Sequence, residues 1–500
     1  MGWKSALIYP FAKKITSDIK KWSANAIYTQ EQILQSLVFK AKNTSFGKDH
    51  SFFEIKNYKD FKERVPIRDY EELKPYIEKI KDGGVNILWP GQPMYFAKTS
   101  GTTSGVKYIP LTKDSLPNHF GSARNAIFNY YGQTGKGNFF DGKIIFLSGS
   151  PEMEEVGGVL TGRLSGIVNH QVPSWLRSNQ LPSYKTNCIE DWEDKLDAIV
   201  EETMKQDMRL ISGIPPWVQM YYERLIERTG KKHIKEIFPN YSMFVYGGVN
   251  FEPYRSSLEE LVGKRIDSVE TYPASEGFIA FQDKPGEKSL LMNTNSGIFF
   301  EFIPVNEISS ENPTRLSIAE VEKGINYVII INNNAGLWGY NIGDTVEFVS
   351  LNPYKILVTG RVKHYISAFG EHVIGKEVED AMLRTCEQLK AKVVEFTVAP
   401  QINPQDGGKP FHEWYIEFDT EPENLKAFAE CLNNEMVKQN IYYDDLITGH
   451  ILRPLEIRKM SKEAFRKYMK SEGKLGGQNK VPRLSNDRKL VDALSPYIET

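Results

Sequence analysis

The stretch FAKTSGTTSGVKYIP, residues 96–110, decides how the rest of the sequence is interpreted. It concentrates hydroxyl side chains and two glycines in a short segment that is followed by a lysine. Glycine lets backbone N–H groups approach an anion closely, and hydroxyl and ammonium groups add further donors to phosphate oxygens. The segment therefore predicts a phosphate-binding loop. The residues expected to hold the phosphates are Ser100, Gly101, Thr102, Thr103 and Lys107.

This loop differs from the Walker loop of P-loop nucleotide-binding proteins. Only three residues separate Gly101 from Gly105, where the Walker loop has four, and Lys107 is followed by Tyr108 instead of serine or threonine. A surface loop rich in Ser, Thr and Gly, without any ligand, is the alternative interpretation. Motifs further along the chain decide between the two.

The composition is that of a soluble globular protein large enough for two or more domains. The 500 residues carry a net charge of −2, so a general electrostatic attraction to nucleic acid or to anionic membranes is not expected. The three cysteines, Cys188, Cys386 and Cys431, form neither a metal-type pair nor an even set for disulfides. This usage suits a reducing compartment, and we expect a cytoplasmic protein.

The first residues, MGWKSALIYPFAKKITSDIKKW, do not predict a targeting segment. Their apolar run is short, is broken by Pro10 and is followed at once by lysines, unlike the core of a signal peptide. No stretch of the chain is apolar for long enough to span a bilayer. We expect a helix packed on the domain, with a helix lying along a surface as the alternative.

The fold class predicted by the apolar pattern is α/β. Short apolar segments at 143–148, 209–214 and 241–246 each end near glycine and alternate with helical segments, which favours a mainly parallel sheet covered by helices. Ligands of such sheets bind beyond the carboxyl ends of the strands. From residue 266 to 349 the strands follow one another more closely, which predicts an antiparallel, barrel-like portion.

A change of pattern near residue 361 predicts a domain boundary, with residues 1–360 in a large domain and 361–500 in a small one. The small domain is predicted to be α+β, with helices at 375–389, 422–437 and 462–471 and strands at 393–399, 411–418 and 451–458.

Four further motifs follow the predicted phosphate loop along the chain. Each of them alone is weak evidence, because glycine next to an acidic or aromatic residue is usually a simple turn. Their order along one chain is more specific. The motifs are YGGVN at 246–250, ETYPASEG at 270–277, YNIGD at 340–344 and TGRVK at 359–363.

With these motifs in place, the sequence resembles the adenylate-forming superfamily of acyl-activating ligases. Within it, the chain most resembles the auxin-responsive acyl acid–amido synthetases, and the likeness covers about residues 95 to 483. The stretch QNKVPR at 478–483 is similar to the Gln-x-Lys-x-Pro-Arg signature of those synthetases. It departs from that signature at Asn479, where the family has an aromatic residue, and the phosphate loop has Thr99 where the family has serine.

The resemblance implies a two-domain ligase that uses ATP and Mg²⁺. A small carboxylic acid would become an acyl-adenylate in the adenylation domain, 1–360, and then an amide with an amino acid. The mobile lid domain, 361–500, would rotate between the two half-reactions. An acyl-CoA ligase of the same superfamily, or a nucleotide- or acyl-binding protein without turnover, are the alternatives. No nucleic-acid partner and no membrane span are expected, and the sequence leaves the oligomeric state open.

The resemblance also implies roles for single residues. Glu276 would bind Mg²⁺, Asp344 would accept hydrogen bonds from the ribose hydroxyls, and Lys480 would reach the α-phosphate or the reacting carboxylate. Arg361 would touch the ribose at the hinge, and Arg124 would pair with the acyl carboxylate. The other residues expected at the nucleotide are Gly247, Gly248, Thr271, Tyr272 and Lys363. For each residue taken alone, an exposed surface position is the alternative.

Overall fold

The computed structural model describes most of the chain. The described residues are 2–99, 107–171, 179–189, 191–248, 251–308, 310–362, 365–366, 368, 371, 373–406, 408–474, 480–485 and 487–499. By their internal packing they form two compact units. The N-terminal unit comprises Met1–Phe251, Arg255–Ile342 and Glu347–Leu357, and the C-terminal unit comprises Glu252–Tyr254, Gly343–Val346 and Val358–Thr500. The last of these divisions falls after Leu357, and the domain boundary at residue 361 stays a prediction.

The helices within the described ranges are numbered in chain order. They are α1 Trp3–Ser23, α2 Ala26–Ala41, α3 Ser45–Asp49, α4 Tyr58–Arg64, α5 Tyr70–Lys81, α6 Leu116–Thr134, α7 Leu164–His170, α8 Tyr184–Asn187, α9 Trp192–Thr203, α10 Pro215–Thr229, α11 Ile234–Ile237, α12 Glu252–Val262, α13 Gly375–Leu389, α14 Leu425–Gln439, α15 Ile441–Thr448, α16 Ala464–Ser471 and α17 Lys489–Leu494. Among them, no helix combines the length and the apolar character needed to cross a bilayer.

The strands within the described ranges form four sheets. They are β1 Tyr95–Thr99, β2 Lys107–Leu111, β3 Lys143–Phe146, β4 Glu154–Val156, β5 Val159–Arg163, β6 Gln180–Leu181, β7 Met208–Ser212, β8 Met243–Gly247, β9 Asp267–Ala274, β10 Gly277–Phe281, β11 Leu290–Met292, β12 Ile298–Pro304, β13 Leu316–Ser317, β14 Asn326–Asn333, β15 Tyr340–Leu351, β16 Tyr354–Arg361, β17 Tyr365–Ile366, β18 Val373–Ile374, β19 Lys392–Gln401, β20 Phe411–Thr420 and β21 Glu456–Lys459.

The largest sheet is mixed, with twelve strands in the order β13-β12-β14-β15-β16-β11-β10-β9-β8-β7-β3-β6. Strands β3, β7, β8 and β9 run parallel, as the alternation of apolar strands with helices predicted. Helices α9, α10 and α12 lie between these strands in the chain. The side chains of β7 and β8 are mostly buried and those of β3 mostly half-buried, and the three predicted strand positions are each correct to within two residues.

The antiparallel portion predicted after residue 266 continues this same sheet. Strands β9 and β10, β10 and β11, β11 and β16, and β12 and β14 all pair antiparallel. The strand order places them beside the parallel strands, so the expected barrel-like portion is part of one mixed sheet. Closely spaced strands predict antiparallel neighbours, but they do not tell which edge of another sheet they join.

A smaller sheet of four strands, ordered β2-β1-β5-β4, holds the flanks of the predicted phosphate loop. Strands β1 and β2 pair antiparallel up to the pair Thr99 and Lys107, and the connecting residues 100–106 lie outside the described ranges. The apolar side chains on both sides of the loop, such as Phe96 and Ile109, are fully buried. The loop is therefore carried by a hairpin whose two strands are anchored in the core.

The C-terminal unit is an α+β unit, in agreement with the pattern of residues 375–471. One of its sheets has three strands in the order β19-β20-β21, with β19 and β20 antiparallel and β20 and β21 parallel. Helices α13 and α14 pack on each other and on a core that includes Phe396, Trp414 and Phe428. Helix α13 has the bounds that the sequence predicted.

Helix α6 has a polar face that is buried against the large sheet. Asn118 accepts a hydrogen bond from the Phe278 backbone N–H at 2.7 Å, and Asn293 donates to the Ser122 hydroxyl at 2.6 Å. His119 lies beside Asn118 and is 5% exposed, and its Nδ1 has no hydrogen-bond partner in the described part of the chain. Burial lowers the pKa of His119 to about 4, because the imidazolium would lose its hydration.

We expect His119 to make the protein sensitive to acid. A histidine whose pKa falls on folding contributes stability above its unfolded pKa of about 6.5, and that stability is lost as the pH falls toward 4. The contribution is about 3 kcal/mol when fully developed. Denaturant unfolding of wild type and His119→Gln should therefore converge as the pH falls from 7 to about 4.5. Exposed His450, changed to Gln, is the matched control. Parallel pH profiles for wild type and His119→Gln would contradict this prediction.

Candidate active site

The carboxyl ends of β8 and β9 meet at one edge of the parallel strands. Gly247 lies beside Thr271 in the parallel register, and the Thr271 hydroxyl donates to the Tyr246 carbonyl oxygen at 2.9 Å. A Cβ on Gly247 would lie 2.3 Å from the Thr271 carbonyl oxygen, so only glycine fits there. The YGGVN and ETYPASEG motifs are thus brought together at the edge where α/β sheets bind ligands.

Glu276 lies in the tight turn between β9 and β10. Ala274 pairs with Gly277, which leaves Ser275 and Glu276 as the two turn residues. The buried Asn333 side chain donates to the Glu276 carbonyl oxygen at 2.8 Å, and this contact fixes the backbone of the turn. The Glu276 side chain is half-buried. A carboxylate is therefore presented at a defined position next to the β8–β9 edge.

Tyr272 precedes this turn on β9 and is 7% exposed. It pairs with Ala280 across the β9–β10 ladder. Thr271, Tyr272 and Glu276 therefore belong to one β-hairpin. Gly248 adopts a positive φ of 76°, which glycine tolerates without strain, directly after β8.

Of the loop residues predicted to contact phosphate, the structure describes only Lys107. Ser100, Gly101, Thr102 and Thr103 lie outside the described ranges. Lys107 is the first described residue after them, and its ammonium group lies 5.7 Å from the centre of the Tyr70 ring. The Tyr70 hydroxyl in turn accepts a hydrogen bond from the Tyr108 N–H at 2.8 Å, which fixes the start of β2.

Arg124 lies on the outer side of α6, two residues beyond the inward-facing Ser122. It is exposed, its guanidinium donates to the Asn125 side-chain oxygen at 3.1 Å, and it lies 5.9 Å from the Phe11 ring of α1. Strand β10 contacts α6 through Asn118, six residues before Arg124, and the contacts described for Arg124 do not include the β9–β10 turn. Its pairing with the acyl carboxylate remains a prediction.

Asp344 and Arg361 form an ion pair within the C-terminal unit. The Arg361 Nε lies 2.7 Å from the Asp344 Oδ1, and the Arg361 side chain is 55% exposed against 15% for Asp344. The backbone between them is held by a hydrogen bond from the Val362 N–H to the Gly343 carbonyl oxygen at 2.7 Å. The YNIGD and TGRVK motifs therefore place a carboxylate and a cation side by side. Lys363 lies outside the described ranges.

Lys480 belongs to the same unit and lies within the electrostatic reach of this pair. Lys480 is exposed to solvent, yet the surrounding protein removes part of the hydration of its ammonium group. This desolvation lowers the pKa of Lys480 to about 8; Asp344 and Glu379 oppose the shift, whereas Arg361 adds to it. A lysine with this pKa is a cation at neutral pH and a titrating group in mild alkali.

The chain directly after Lys480 is fixed to the edge of β19. The Thr397 hydroxyl donates to the Pro482 carbonyl oxygen at 2.7 Å, and the Val398 N–H donates to the Arg483 carbonyl oxygen at 2.9 Å. The Ser485 N–H then donates to the Val398 carbonyl oxygen at 2.9 Å. Residues 482–485 therefore behave as an added strand, and Lys480 stands two residues before it.

Arg483 anchors this added strand through its side chain. Its Nε lies 3.0 Å from the Glu379 carboxylate, a second nitrogen contacts the Glu395 carboxylate, and a third donates to the Tyr254 hydroxyl at 3.1 Å. The guanidinium is 12% exposed and lies 4.8 Å from the Phe396 ring. Arg483 is part of the QNKVPR stretch, but the sequence predicted no role for it. Its partners lie on α13, on β19 and at Tyr254, and no local sequence pattern indicates them.

The donor set suits a magnesium ion that is shared with phosphates. Within the described ranges, no three or more His, Cys, Asp or Glu side chains cluster as a metal cage. A single carboxylate, such as that of Glu276, fits the way Mg²⁺ is held by one or two protein carboxylates together with substrate phosphates.

Comparison with known families covers almost the whole chain. Residues 15–183 and 159–266 match the GH3 family N-terminal domain, residues 291–361 the central domain and residues 376–489 the C-terminal domain. The chain is 23% identical to the indole-3-acetic acid-amido synthetase GH3.3 of Arabidopsis thaliana, over 96% of this chain and 93% of that protein. It is 22% identical to the jasmonoyl–L-amino acid synthetase JAR4 of Nicotiana attenuata, over 94% and 93% of the two chains.

Solved structures give the same picture of the fold. The GH3.15 acyl acid amido synthetase has a TM-score of 0.81 and 15% identity, over 98% of this chain and 97% of that one. The 2-hydroxyisobutyryl-CoA ligase in its postadenylation state has a TM-score of 0.56 and 11% identity, over 99% of this chain and 92% of that one. The order of motifs, the two units and the three consecutive family matches agree, and the chain therefore belongs to the GH3 family of acyl acid amido synthetases, whose fold is related to that of adenylate-forming ligases.

Proposed function

We propose that this protein joins a small carboxylic acid to an amino acid at the expense of ATP. The carboxylate oxygen attacks the α-phosphorus, the bond to pyrophosphate breaks, and an acyl-adenylate forms. The amine nitrogen then attacks the acyl carbon, AMP leaves, and the nitrogen loses a proton. The observation that carries this proposal is the match of all three GH3 domains, in order, along one chain.

The N-terminal unit is proposed to bind ATP at the β8–β9 edge and the β9–β10 turn. Gly247 and Gly248 allow close approach of the adenine edge, and Thr271 and Tyr272 line that position. Glu276 would hold Mg²⁺, which would neutralise phosphate charge and so ease the attack of one anion on another. Residues of the 100–107 segment would hold phosphate oxygens by hydroxyl and backbone donors.

The C-terminal unit is proposed to bind the ribose and to supply the mobile cation. The Asp344 carboxylate can accept hydrogen bonds from two ribose hydroxyls, and its ion pair with Arg361 orients it. Lys480 would offer its positive charge to the oxygens that carry charge in the transition state of adenylation. The contact between Val362 and Gly343 and the pairing of residues 482–485 with β19 support this proposal, because they order the backbone next to these groups.

The acceptor separates this proposal from an acyl-CoA ligase. The QNKVPR stretch favours an amine acceptor, whereas the likeness to the CoA ligase is one of fold alone. Purified protein should first be tested for ATP–pyrophosphate exchange with a panel of carboxylic acids, which reports adenylation only. The active acid is then offered with amino acids or with CoA, and the product is identified by mass spectrometry.

The three outcomes assign the function. An amide product that requires both the acid and the amino acid supports the proposal. A thioester with CoA and no amide would transfer the protein to the CoA-ligase alternative. Tight ATP binding without exchange for any acid would leave a binding protein without turnover.

Arg483 is expected to position Lys480, and its replacement should slow adenylation. In Arg483→Met the apolar contacts are largely kept, but Glu379 and Glu395 lose their shared cation and the added strand loses its side-chain anchor. We expect kcat for exchange to fall about 10- to 100-fold with little change in the KM for ATP, as for a misplaced catalytic group.

A matched control exists in the same unit. Arg453 also pairs with two carboxylates, Asp406 and Glu456, and stacks 4.2 Å from Phe411, but it has no link to residues 480–485. Arg453→Met should leave exchange within a few-fold of wild type. Equal kinetic effects of both substitutions would show that Arg483 acts through general stability and not through Lys480.

A further inference from the structure

Helix α1 presents an apolar stripe to solvent that the proposed reaction does not use. Trp3, Leu7 and Phe11 are 72%, 71% and 47% exposed. Their spacing of four residues puts them on one face of the helix, over about 12 Å of its length. Pro10 and Ala6 are exposed beside them, so the patch is contiguous and unlike the single exposed apolar residues of ordinary surfaces.

The stripe faces outward because the opposite face of α1 is locked to α6. Ser5, Ala12, Ile15 and Ile19 are buried in that contact. The packing is close, since a Cβ on Gly132 of α6 would lie 2.7 Å from the Ala12 carbonyl oxygen. The helix therefore has no freedom to turn its apolar stripe inward.

The start of the helix is held as firmly as its middle. The Asp141 carboxylate accepts hydrogen bonds from the Gly2 N–H at 2.9 Å, the Ser5 N–H at 3.1 Å and the Ser5 hydroxyl at 2.7 Å. These contacts satisfy N–H groups that a helix start leaves unpaired. Trp3, which lies between them, is thus presented to solvent on an ordered first turn.

Positive charge surrounds the stripe. Helix α1 contains five lysines and one aspartate, a net charge of +4, whereas the whole chain carries −2. Lys13, Lys14, Lys20 and Lys21 are exposed further along the helix, and helical spacing puts Lys14 and Lys21 on the same face as Trp3. The guanidinium of Arg124 adds a further cation, 5.9 Å from the Phe11 ring. The chain as a whole therefore has a low net charge, although helix α1 is strongly basic.

We propose that the outer face of α1 docks on an anionic lipid surface. Trp3, Leu7 and Phe11 would enter the boundary between headgroups and acyl chains, and the lysines would reach the lipid phosphates by extending their long side chains. A protein partner or a second copy of the chain could also bury the apolar stripe. The concentration of lysines beside the stripe, however, specifically matches a negatively charged surface. The proposal is independent of the amide-forming reaction, because docking needs no turnover.

Vesicle sedimentation tests the proposal with the full-length protein. We expect the protein to bind vesicles of phosphatidylcholine mixed with phosphatidylglycerol, to bind phosphatidylcholine alone far more weakly, and to be released by salt. The double variant Trp3→Ser, Leu7→Ser should lower the partition coefficient at least about tenfold, since two large apolar side chains are lost. The double variant Lys14→Gln, Lys21→Gln should lower it about tenfold on anionic vesicles only.

The controls distinguish binding through this surface from non-specific hydrophobic binding to vesicles. Phe53 is 70% exposed on another part of the N-terminal unit, and Phe53→Ser should bind vesicles as wild type does. All variants should retain wild-type ATP–pyrophosphate exchange without lipid. Binding that ignores lipid charge, or that survives the Trp3 and Leu7 changes, would overturn the proposal. So would a wild-type dimer in solution that becomes a monomer in the Trp3→Ser, Leu7→Ser variant, since the stripe would then serve a second copy.

Discussion

Replacing Lys480 with alanine is expected to slow the adenylation step by about 100- to 1,000-fold, while ATP binding changes only a few-fold. The charge of Lys480 is useful where negative charge develops, namely on the oxygens around the α-phosphorus, and less so in the bound ground state. Removing it should therefore lower kcat for exchange more than it raises KM. Exchange kinetics with the active acid, and direct titration with ATP, measure the two quantities separately.

The pKa of Lys480 allows its role in adenylation to be tested by varying the pH. Partial desolvation of its ammonium group lowers that pKa to about 8, so Lys480 is charged at pH 7 and loses its charge as the pH rises through 8. The adenylation rate should therefore decline above about pH 8. Lys480→Arg keeps its charge to much higher pH, so whatever activity this variant retains should lack the decline.

Lys489 provides the control for this pair of experiments, because its side chain is 90% exposed and its nearest carboxylate, that of Asp487, is 4.0 Å away. Lys489→Ala should match wild type in rate and pH profile. If Lys480→Ala kept wild-type exchange kinetics, the lysine would have no part in adenylation, and the interpretation of the QNKVPR stretch would fail with it.

Helices with local start signals were predictable from the sequence alone. The helix at 70–81 begins after Asp69, whose side chain accepts from the Glu72 N–H while Glu72 bonds back, a capping box that is visible in the letters. The helix at 58–64 begins after Asn57, which caps it in the same way with one bond. Because these determinants lie within four residues, no tertiary information was needed to place them.

The arrangement of the strands was predictable only in part. Apolar runs near 145, 210 and 244 indicated parallel strands, because each ends near a glycine and those near 210 and 244 are followed directly by a helix. The later strands extend the same sheet through pairings such as that of β11 with β16. These two strands are separated by more than sixty residues of sequence. Periodicity describes which faces of a strand are buried, and it contains no information about such partners.

The candidate site shows the same limit at the level of single residues. Glu276, Asp344, Arg361 and Lys480 could be named because each stands in a short motif whose order along the chain is distinctive. Their supports could not, since Asn333 reaches Glu276 from a distant strand and Arg483 collects partners from three elements. A motif therefore predicts which groups react, and the structure is needed to find the residues that contact them.

A buried ion pair in the N-terminal unit is expected to dominate the stability of that unit. Glu301 on β12 is fully buried and makes a two-point contact with Arg315, with distances of 2.8 Å from Nε and from a terminal nitrogen. Tyr58 donates to the same carboxylate at 3.0 Å and Asn332 at 2.9 Å, so all of its oxygens are satisfied. The guanidinium also donates to the Val65 carbonyl oxygen at 2.5 Å.

Arg315→Met should therefore destabilise the N-terminal unit by about 3–5 kcal/mol, because a buried carboxylate is left without its cation. Denaturant unfolding followed by intrinsic fluorescence should show this as a lower midpoint. Arg466→Met, which breaks the exposed pair with Glu463, should change the unfolding free energy by less than about 1 kcal/mol. Equal midpoints for the two variants would contradict the prediction.

The double variant Arg315→Met, Glu301→Leu distinguishes the cost of an unpaired charge from the value of the pair itself. When both charges are removed, no buried carboxylate remains to be compensated, and replacing a whole buried pair by apolar side chains is often close to neutral. The double variant should thus recover most of the stability that Arg315→Met loses, apart from the donors of Tyr58 and Asn332, which then lack an acceptor. If it is instead less stable than the single variant, the contacts of Glu301 with Tyr58 and Asn332 stabilise the unit more than its ion pair does.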